Sequence, residues 1–198
     1  MINKILELIK GEFIINGEIN KRYYHTTGVI YMALELNRIH QLGIPEEKII
    51  YASAFHDVAK YMNKEEMIDI ISKHFPMEKE ELLEYPSIWH SFVGSIYVKE
   101  KYNITDQEIL DAIKYHTTGR PNMTNLEKLI FVSDYVEEVT RKEDEMIKAR
   151  QIARESLDKG VMQTLIDTKN YLQSTNRPIY KLTEETYQFY LKNVRNNV

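Results

Sequence analysis

Residues 52–60 read "ASAFHDVAK". Ala52, Phe55, His56 and Ala59 fall at i, i+3, i+4 and i+7, the spacing of one helix face, in a run otherwise small or apolar apart from Asp57 and Lys60. An unpartnered carboxylate on a buried helix costs several kcal/mol, so Asp57 needs a cationic side chain or a metal ion. Successive helical residues point about 100° apart, which lets His56 and Asp57 approach one ion from adjacent directions. Lys60, three residues after Asp57, returns to the same face. Taken alone, the dipeptide fits equally well a core histidine beside a surface aspartate.

The same period recurs outward from this stretch. Val29, Met32, Ala33 and Leu36 keep it, as do Ile109, Ala112, Ile113 and His116, then Leu126, Leu129, Ile130 and Ser133. Val161, Met162, Leu165 and Ile166 mark a further helix, and Thr183 before Glu184-Glu185 reads as the N-cap of the last one. Breaks fall at Gly43-Ile44-Pro45, Phe75-Pro76, Tyr85-Pro86, Arg120-Pro121 and Arg177-Pro178. With only 7 Gly and 5 Pro and no clear β alternation, many-turned β architectures are disfavoured. The expectation is a single all-α domain over residues 1–198, a helical bundle of about eight to ten helices.

Net charge of −4 removes the basic excess that nucleic-acid binding needs, and the absence of cysteine removes disulfides and thiolate metal sites. Glu7 interrupts the first apolar run, unlike a signal peptide, and the uncharged run Tyr85–Val98 is shorter than the roughly 18–20 residues that span a bilayer. A cytoplasmic protein without membrane or nucleic-acid partners is expected. No G-x-x-x-x-G-K-[ST], H-E-x-x-H or G-x-S-x-G motif is present. Gly94, in "FVGSIYV", reads as a site of close helix packing.

The pentapeptide "YHTTG" occurs at Tyr24–Gly28 and again at Tyr115–Gly119. The first is followed by "VIYMALEL", which places His25 near a helix start. The second follows "EILDAIK" and is closed by Arg120-Pro121, which places His116 in a last turn. The copies are not a duplication; they are two helix ends able to converge. Of the six histidines, His40 and His74 read as C-terminal residues favoured by the helix dipole. Asp134, in "LIFVSDYVEE", repeats the oddity of Asp57.

Taken in order, His25, His56-Asp57, His90, His116 and Asp134 form a pattern that resembles the HD superfamily of metal-dependent phosphohydrolases. "KRYYHTTGV", "FHDVAK", "HSFVGS", "AIKYHTTGRPNMTNLEKLIFVSDYVE" and "RPIYKLT" resemble one branch, the bacterial symmetrical bis(5′-nucleosyl)-tetraphosphatases, over about residues 20–185. The resemblance implies an HD domain whose C-terminal helices, about 145–198, pack on a metal-binding core. It implies that His25, His56, Asp57 and Asp134 hold one divalent or trivalent ion, with iron first and Mn, Zn or Mg alternatives. It further implies a second ion as an option, and cleavage of diadenosine tetraphosphate to two ADP by attack of a metal-bound hydroxide. His56 and Asp57 are then the catalytic pair, with Asp57 aligning the hydroxide or bridging two ions.

His90 and His116 are expected to bind a second ion or, preferably, to donate to phosphate. Arg120 offers a guanidinium fork, Lys60 a compact charge, and Thr117, Thr118 and Gly119 hydroxyl and main-chain donors. Arg22 has a weaker claim to phosphate. Tyr180 corresponds to a family segment near the nucleotide, whereas Trp89 is left to the core. One departure stands out: the family's Pro-Gly-Arg turn after "DY" is replaced by "DYVEEVTRKEDE", which displaces Arg141. Alternatives are the same site acting on a nucleoside monophosphate or cyclic dinucleotide, or a non-catalytic nucleotide sensor. Such domains are compatible with a homodimer.

Overall fold

A computed structural model describes residues 1–196, apart from the side chains of residues 145 and 193–196; residues 197–198, at the end of the expected domain, lie outside it. Eleven α-helices are present among the described residues: α1 (Ile2–Ile9), α2 (Lys21–Ile39), α3 (Glu46–Phe55), α4 (Lys64–His74), α5 (Lys79–Leu83), α6 (Trp89–Tyr102), α7 (Gln107–Tyr115), α8 (Asn125–Val136), α9 (Asp144–Glu155), α10 (Leu157–Ser174) and α11 (Lys181–Asn196). The all-α reading holds, and the count passes the expected eight to ten because of short pieces such as the five-residue α5. A hairpin of two-residue strands, β1 (Ile14–Ile15) and β2 (Glu18–Ile19), turns through Asn16-Gly17 at positive φ. Strands that short leave no alternation to read.

Caps set the starts of the helices that carry the site. Asn20 accepts from the backbone N–H of Arg22 and opens α2; Asp106 does the same for Glu108 and Ile109 at α7. Thr124 and Glu127 form a capping box at α8. The last helix opens at Lys181, so Thr183 lies inside its first turn and the Tyr180 carbonyl takes the capping hydrogen bonds instead.

Helices α2, α3, α7 and α8 pack on one another at the centre. Phe55, Ile30, Leu36, Ile49, Ile113, Leu129 and Ile130 are fully buried between them, each contributing about 1.5–3 kcal/mol by burial. A second apolar cluster of Ile71, Phe75, Leu82, Trp89, Phe92 and Tyr180 lies under α4 and α6. On the other side α10 packs against α8, α9 and α11. No helix among the described residues is long and apolar enough to cross a membrane.

One local expectation needs correction. Helix α3 stops at Phe55, so His56 and Asp57 are not within it but follow it, in a turn that runs to Asn63, the cap of α4. Bonds from Val58 N–H to Phe55 O (3.3 Å) and from Lys60 N–H to Asp57 O (2.9 Å) tighten the chain to i→i+3 pairing. The apolar period continues past Phe55 because Val58 and Ala59 remain buried, which is why the turn reads as helix in sequence.

Gly94 and Gly119 separate packing from backbone conformation. A Cβ at Gly94 would lie 3.5 Å from Ile113 Cγ2 and 3.8 Å from Ala59 Cβ, ordinary contact. Gly119 has φ +62°, and a Cβ there would lie 2.8 Å from Thr186 Cγ2. Gly94→Ala should therefore be neutral or stabilise by up to about 1 kcal/mol. Gly119→Ala should lose about 1–2 kcal/mol from the left-handed backbone, before any steric term. Urea unfolding of the two variants beside the parent protein checks both signs.

Candidate metal centre

Five side chains from four places in the chain meet in the interior. His25 comes from the second turn of α2, His56 and Asp57 from the turn after α3, His90 from the start of α6, and His116 from the C-cap of α7. All five are buried, and Asp134, near the end of α8, is partly exposed beside them. Their ligand atoms form the groups His25–His56–Asp57, His56–His116–Asp134 and Asp57–His90–His116, within each of which the atoms lie no more than 4.8 Å apart.

The hydrogen bonds behind the rings decide what the rings can do. His56 Nδ1 lies 2.6 Å from Ser53 O, and His116 Nδ1 lies 2.7 Å from Ile113 O. A carbonyl only accepts, so each Nδ1 carries the proton and each Nε2 presents a lone pair inward. His56 Nε2 is buried with no hydrogen-bond partner. A buried, unpartnered nitrogen aimed at carboxylates is costly in isolation and is what a metal ligand requires. It lies 3.5 Å from Asp57 Oδ2 and 3.8 Å from Asp134 Oδ1, while His25 Nε2 lies 2.8 Å from Asp134 Oδ1 and 4.0 Å from Asp57 Oδ2. Donors each about 2.1 Å from one ion sit up to about 4.2 Å apart, so each of these four separations is short enough for two donors to share an ion. The imidazole and carboxylate donors fit a first-row divalent metal.

Asp57 faces two ways. Its Oδ2 accepts from Arg22 Nη1 at 2.7 Å. Its Oδ1 lies 3.2 Å from His90 Nε2, 3.7 Å from His116 Nε2 and 3.8 Å from Lys60 Nζ. Burial opposes its charge, but its imidazole neighbours, the hydrogen bond from His90 among them, hold its carboxyl well below the usual range. Burial pushes His90 down to about 4 despite its hydrogen bond to Asp57, so that ring is neutral. Lys60 is also pushed down, by burial first. His25 moves the other way: hydrogen bonds to Asp134 and Glu137 outweigh burial and raise it to about 9.

Glu137 is the residue that sequence reading missed. It is fully buried and lies 3.2 Å from His25 Nδ1, with further hydrogen bonds from the N–H of Val139 (2.6 Å) and Thr140 and from the Thr140 hydroxyl. Those bonds outweigh burial and hold its carboxyl down at about 2. Gly28 makes room for it, because a Cβ there would lie 2.1 Å from Glu137 Oε2. Arg150 of α9, itself buried, donates to the carbonyls of Val136 (2.6 Å), Glu137 (3.2 Å) and Arg141 and pins this turn. A carboxylate after an apolar helix, two positions past the "DY" pair, was the available signal.

The structure brings Arg22 and Lys60 to the centre but directs other expected phosphate ligands elsewhere. Arg120 donates twice to buried Glu127, at 2.6 and 2.7 Å, and once to Asp111, at 3.2 Å, so its fork is engaged at the α8 cap. The Thr118 hydroxyl donates to Gly119 O and the Gly119 N–H to Tyr115 O, closing α7 rather than facing a ligand. Thr117 shares a 2.9 Å hydrogen bond with Ser91. Tyr180 is buried edge-to-face against Tyr85 and Phe92, a core position rather than an open stacking platform. Arg141, in contrast, lines a cavity of about 190 Å³ with Arg22 and His25, so the lost Pro-Gly-Arg turn does not remove the arginine. His40 and His74 end α2 and α4 as the dipole argument expects.

Comparison with known proteins follows the same lines. The HD domain family model matches residues 22–139. The chain is 39% identical to the symmetrical bis(5′-nucleosyl)-tetraphosphatase of Bacillus subtilis (strain 168), over 85% of this chain and 88% of that protein. It is 36% identical to the like-named protein of Halalkalibacterium halodurans, over 93% and 94%, and 34% identical to that of Staphylococcus aureus, over 86% and 87%. Among solved structures, an HD superfamily hydrolase from Clostridium acetobutylicum, described as involved in NAD metabolism, superposes with a TM-score of 0.86 at 30% identity, covering 98% of both chains.

If Glu137 fixes the His25 ring through Nδ1, weakening that bond should weaken metal binding without emptying the centre. Glu137→Gln and Gly28→Ala are each expected to lower affinity for a divalent metal by about 10–100-fold. Competition with a chromophoric chelator measures it, and unchanged affinity in both variants would show that Glu137 does not orient the ligand.

Proposed function

We infer the chemistry from one premise: the chain belongs to the HD domain family and, within it, to the symmetrical bis(5′-nucleosyl)-tetraphosphatases. It is a metal-dependent hydrolase that takes a dinucleoside tetraphosphate and water to two nucleoside diphosphates by breaking the central phosphoanhydride. The observation that carries the metal dependence is the orphaned His56 Nε2, buried between two carboxylates. The substrate assignment is supported by the three tetraphosphatase relatives.

We assign His25, His56, Asp57 and Asp134 to the principal ion, and favour iron among the metals that suit this donor set. Such an ion supplies Lewis acidity toward a phosphoryl oxygen and a water made acidic near neutral pH. The protein's own groups do the rest. Asp57, ionised and bonded by Arg22, is the oriented acceptor that aligns the attacking water. His90 and His116 face Asp57 Oδ1 rather than Oδ2, beside Lys60, whose Nζ lies 3.1 Å from His90 Nε2. That side suits a phosphoryl group, since neutral His90 and cationic Lys60 both donate to its oxygens. His90, His116 and Asp57 would also be able to hold a second ion there. Arg22 is well placed to exchange its carboxylate partner for phosphate. The α7 segment Thr118-Gly119-Arg120 is left out of the substrate contacts, and Thr117 retains only a hydroxyl shared with Ser91.

Diadenosine tetraphosphate incubated with iron-loaded protein should give ADP alone, and a chelated control should give nothing. Asp57→Ala should lose more than about 100-fold in turnover, beyond what a supporting residue contributes. Chromatographic product analysis decides: AMP plus ATP would keep a hydrolase but exclude symmetrical cleavage, and full activity in Asp57→Ala would exclude the assigned role.

A further inference from the structure

Cleaving a tetraphosphate at its central bond sets a geometric demand. Two equal nucleotide arms leave the reacting phosphates in opposite directions, so a second arm needs a seat beyond the metal centre. A groove of about 1030 Å³ begins at Arg22 and Lys60 and continues between α9 and α10. It is at the upper end of small-ligand sites, which run about 300–1,000 Å³. A phosphoryl group and its ions leave most of it to be filled.

Its charge contrasts with that of the chain. Arg22, Lys60, Arg141, Lys148 and Arg177 line it against only two carboxylates, Glu143 and Asp167, in a protein of net charge −4. Asp167 is already bonded by the Tyr135 hydroxyl (3.0 Å) and the Gln163 amide (2.8 Å). Among the described residues, Arg141, Lys148 and Arg177 form none of the ion pairs within 4.0 Å that occupy Arg120, Arg154 and Lys169 elsewhere. Those three cations, gathered in one groove without a carboxylate partner among the described residues, suit an anion longer than a single phosphate. Tyr171 adds an aromatic face: it is 55% exposed, and the Arg177 guanidinium carbon lies 5.7 Å from its ring centroid. A purine on that ring would complete a cation–aromatic–base stack.

We propose that this groove seats the second nucleotide arm of the dinucleoside tetraphosphate, with Arg141, Lys148 and Arg177 on its phosphates and Tyr171 under its base. The proposal rests on the tetraphosphatase reading. The HD domain match ends at residue 139, before α9, so the seat comes from the helices outside the shared module. Those helices then distinguish a two-armed substrate from a one-armed one.

The test compares diadenosine tetraphosphate with adenosine 5′-tetraphosphate, which has the same four phosphates and one nucleoside, in the iron-loaded parent protein and in Tyr171→Ala and Arg177→Gln. The ratio of kcat/KM, dinucleotide over mononucleotide, should fall about tenfold in Tyr171→Ala. An unchanged ratio overturns the seat, whether both rates hold or fall together. A titration of metal-free protein with diadenosine tetraphosphate separates the two ideas. Binding weakened about tenfold by Tyr171→Ala, in a parent protein that never cleaves the ligand, would keep the seat and defeat the tetraphosphatase reading. Cleavage by the parent with an unaffected variant would keep that reading and defeat the seat. Neither binding nor cleavage would defeat both.

Discussion

The buried carboxylate of Asp57 is the constraint around which the centre is arranged. A charge at 1% exposure is tolerable only if each oxygen has partners. Oδ2 has Arg22 with His56 and His25 nearby, and Oδ1 has His90, His116 and Lys60. Those partners come from α2, α6, α7 and the turn after α3, so the packing that stabilises the fold and the grouping that makes the site are the same contacts. Removing any one partner leaves the carboxylate less compensated.

Holding the ligands is a separate task, done by groups that never face the centre. The carbonyls of Ser53 and Ile113, each three residues before a histidine, fix the tautomers of His56 and His116. His25 lies within the second turn of α2, where the helix pairs the neighbouring carbonyls, and it uses Glu137 instead. That choice propagates. Glu137 needs the space that Gly28 leaves, and its turn needs Arg150 to bond the carbonyls freed at the end of α8. The two "YHTTG" copies thus differ even in their glycines: Gly28 accommodates a buried carboxylate, while Gly119 supplies positive φ after a helix end.

Much of this was legible in the sequence, for identifiable reasons. Helix periodicity survives in a chain with few glycines and prolines, and histidines and aspartates interrupting apolar runs are conspicuous because they are costly there. The centre itself, His25, His56, Asp57, His90, His116 and Asp134, was therefore readable. What failed was inference from sequence neighbours. Arg120 stands four residues after His116, but its partner is Glu127 at the start of the next helix, a pairing that no local pattern announces. Tyr180 follows a rigid Pro turn, yet the second apolar cluster takes its ring. Glu137 stands beside Glu138 in a charged run, and the packing of α2 on α8 is what turns its side chain inward.

Helix direction adds an electrostatic layer that no single residue shows. His56 and His116 stand at the C-terminal ends of α3 and α7, and Asp134 is close to the end of α8. Each such end carries roughly half a negative charge from unpaired carbonyls. Three of them meet where the imidazole and carboxylate donors meet, which favours a cation before any ligand bond is counted. His90 sits at the N-terminal end of α6, where the sign is reversed and an anion is favoured. The backbone therefore favours metal on the His56 and Asp134 side and an anion at His90, with His116, whose Nε2 lies 3.2 Å from that of His90, at the boundary. The helix-boundary signals in the sequence, Asp106 at the start of α7 and Gly119 after its end among them, determine where these partial charges fall. Turns that look like mere punctuation in the sequence are in this sense part of the chemistry.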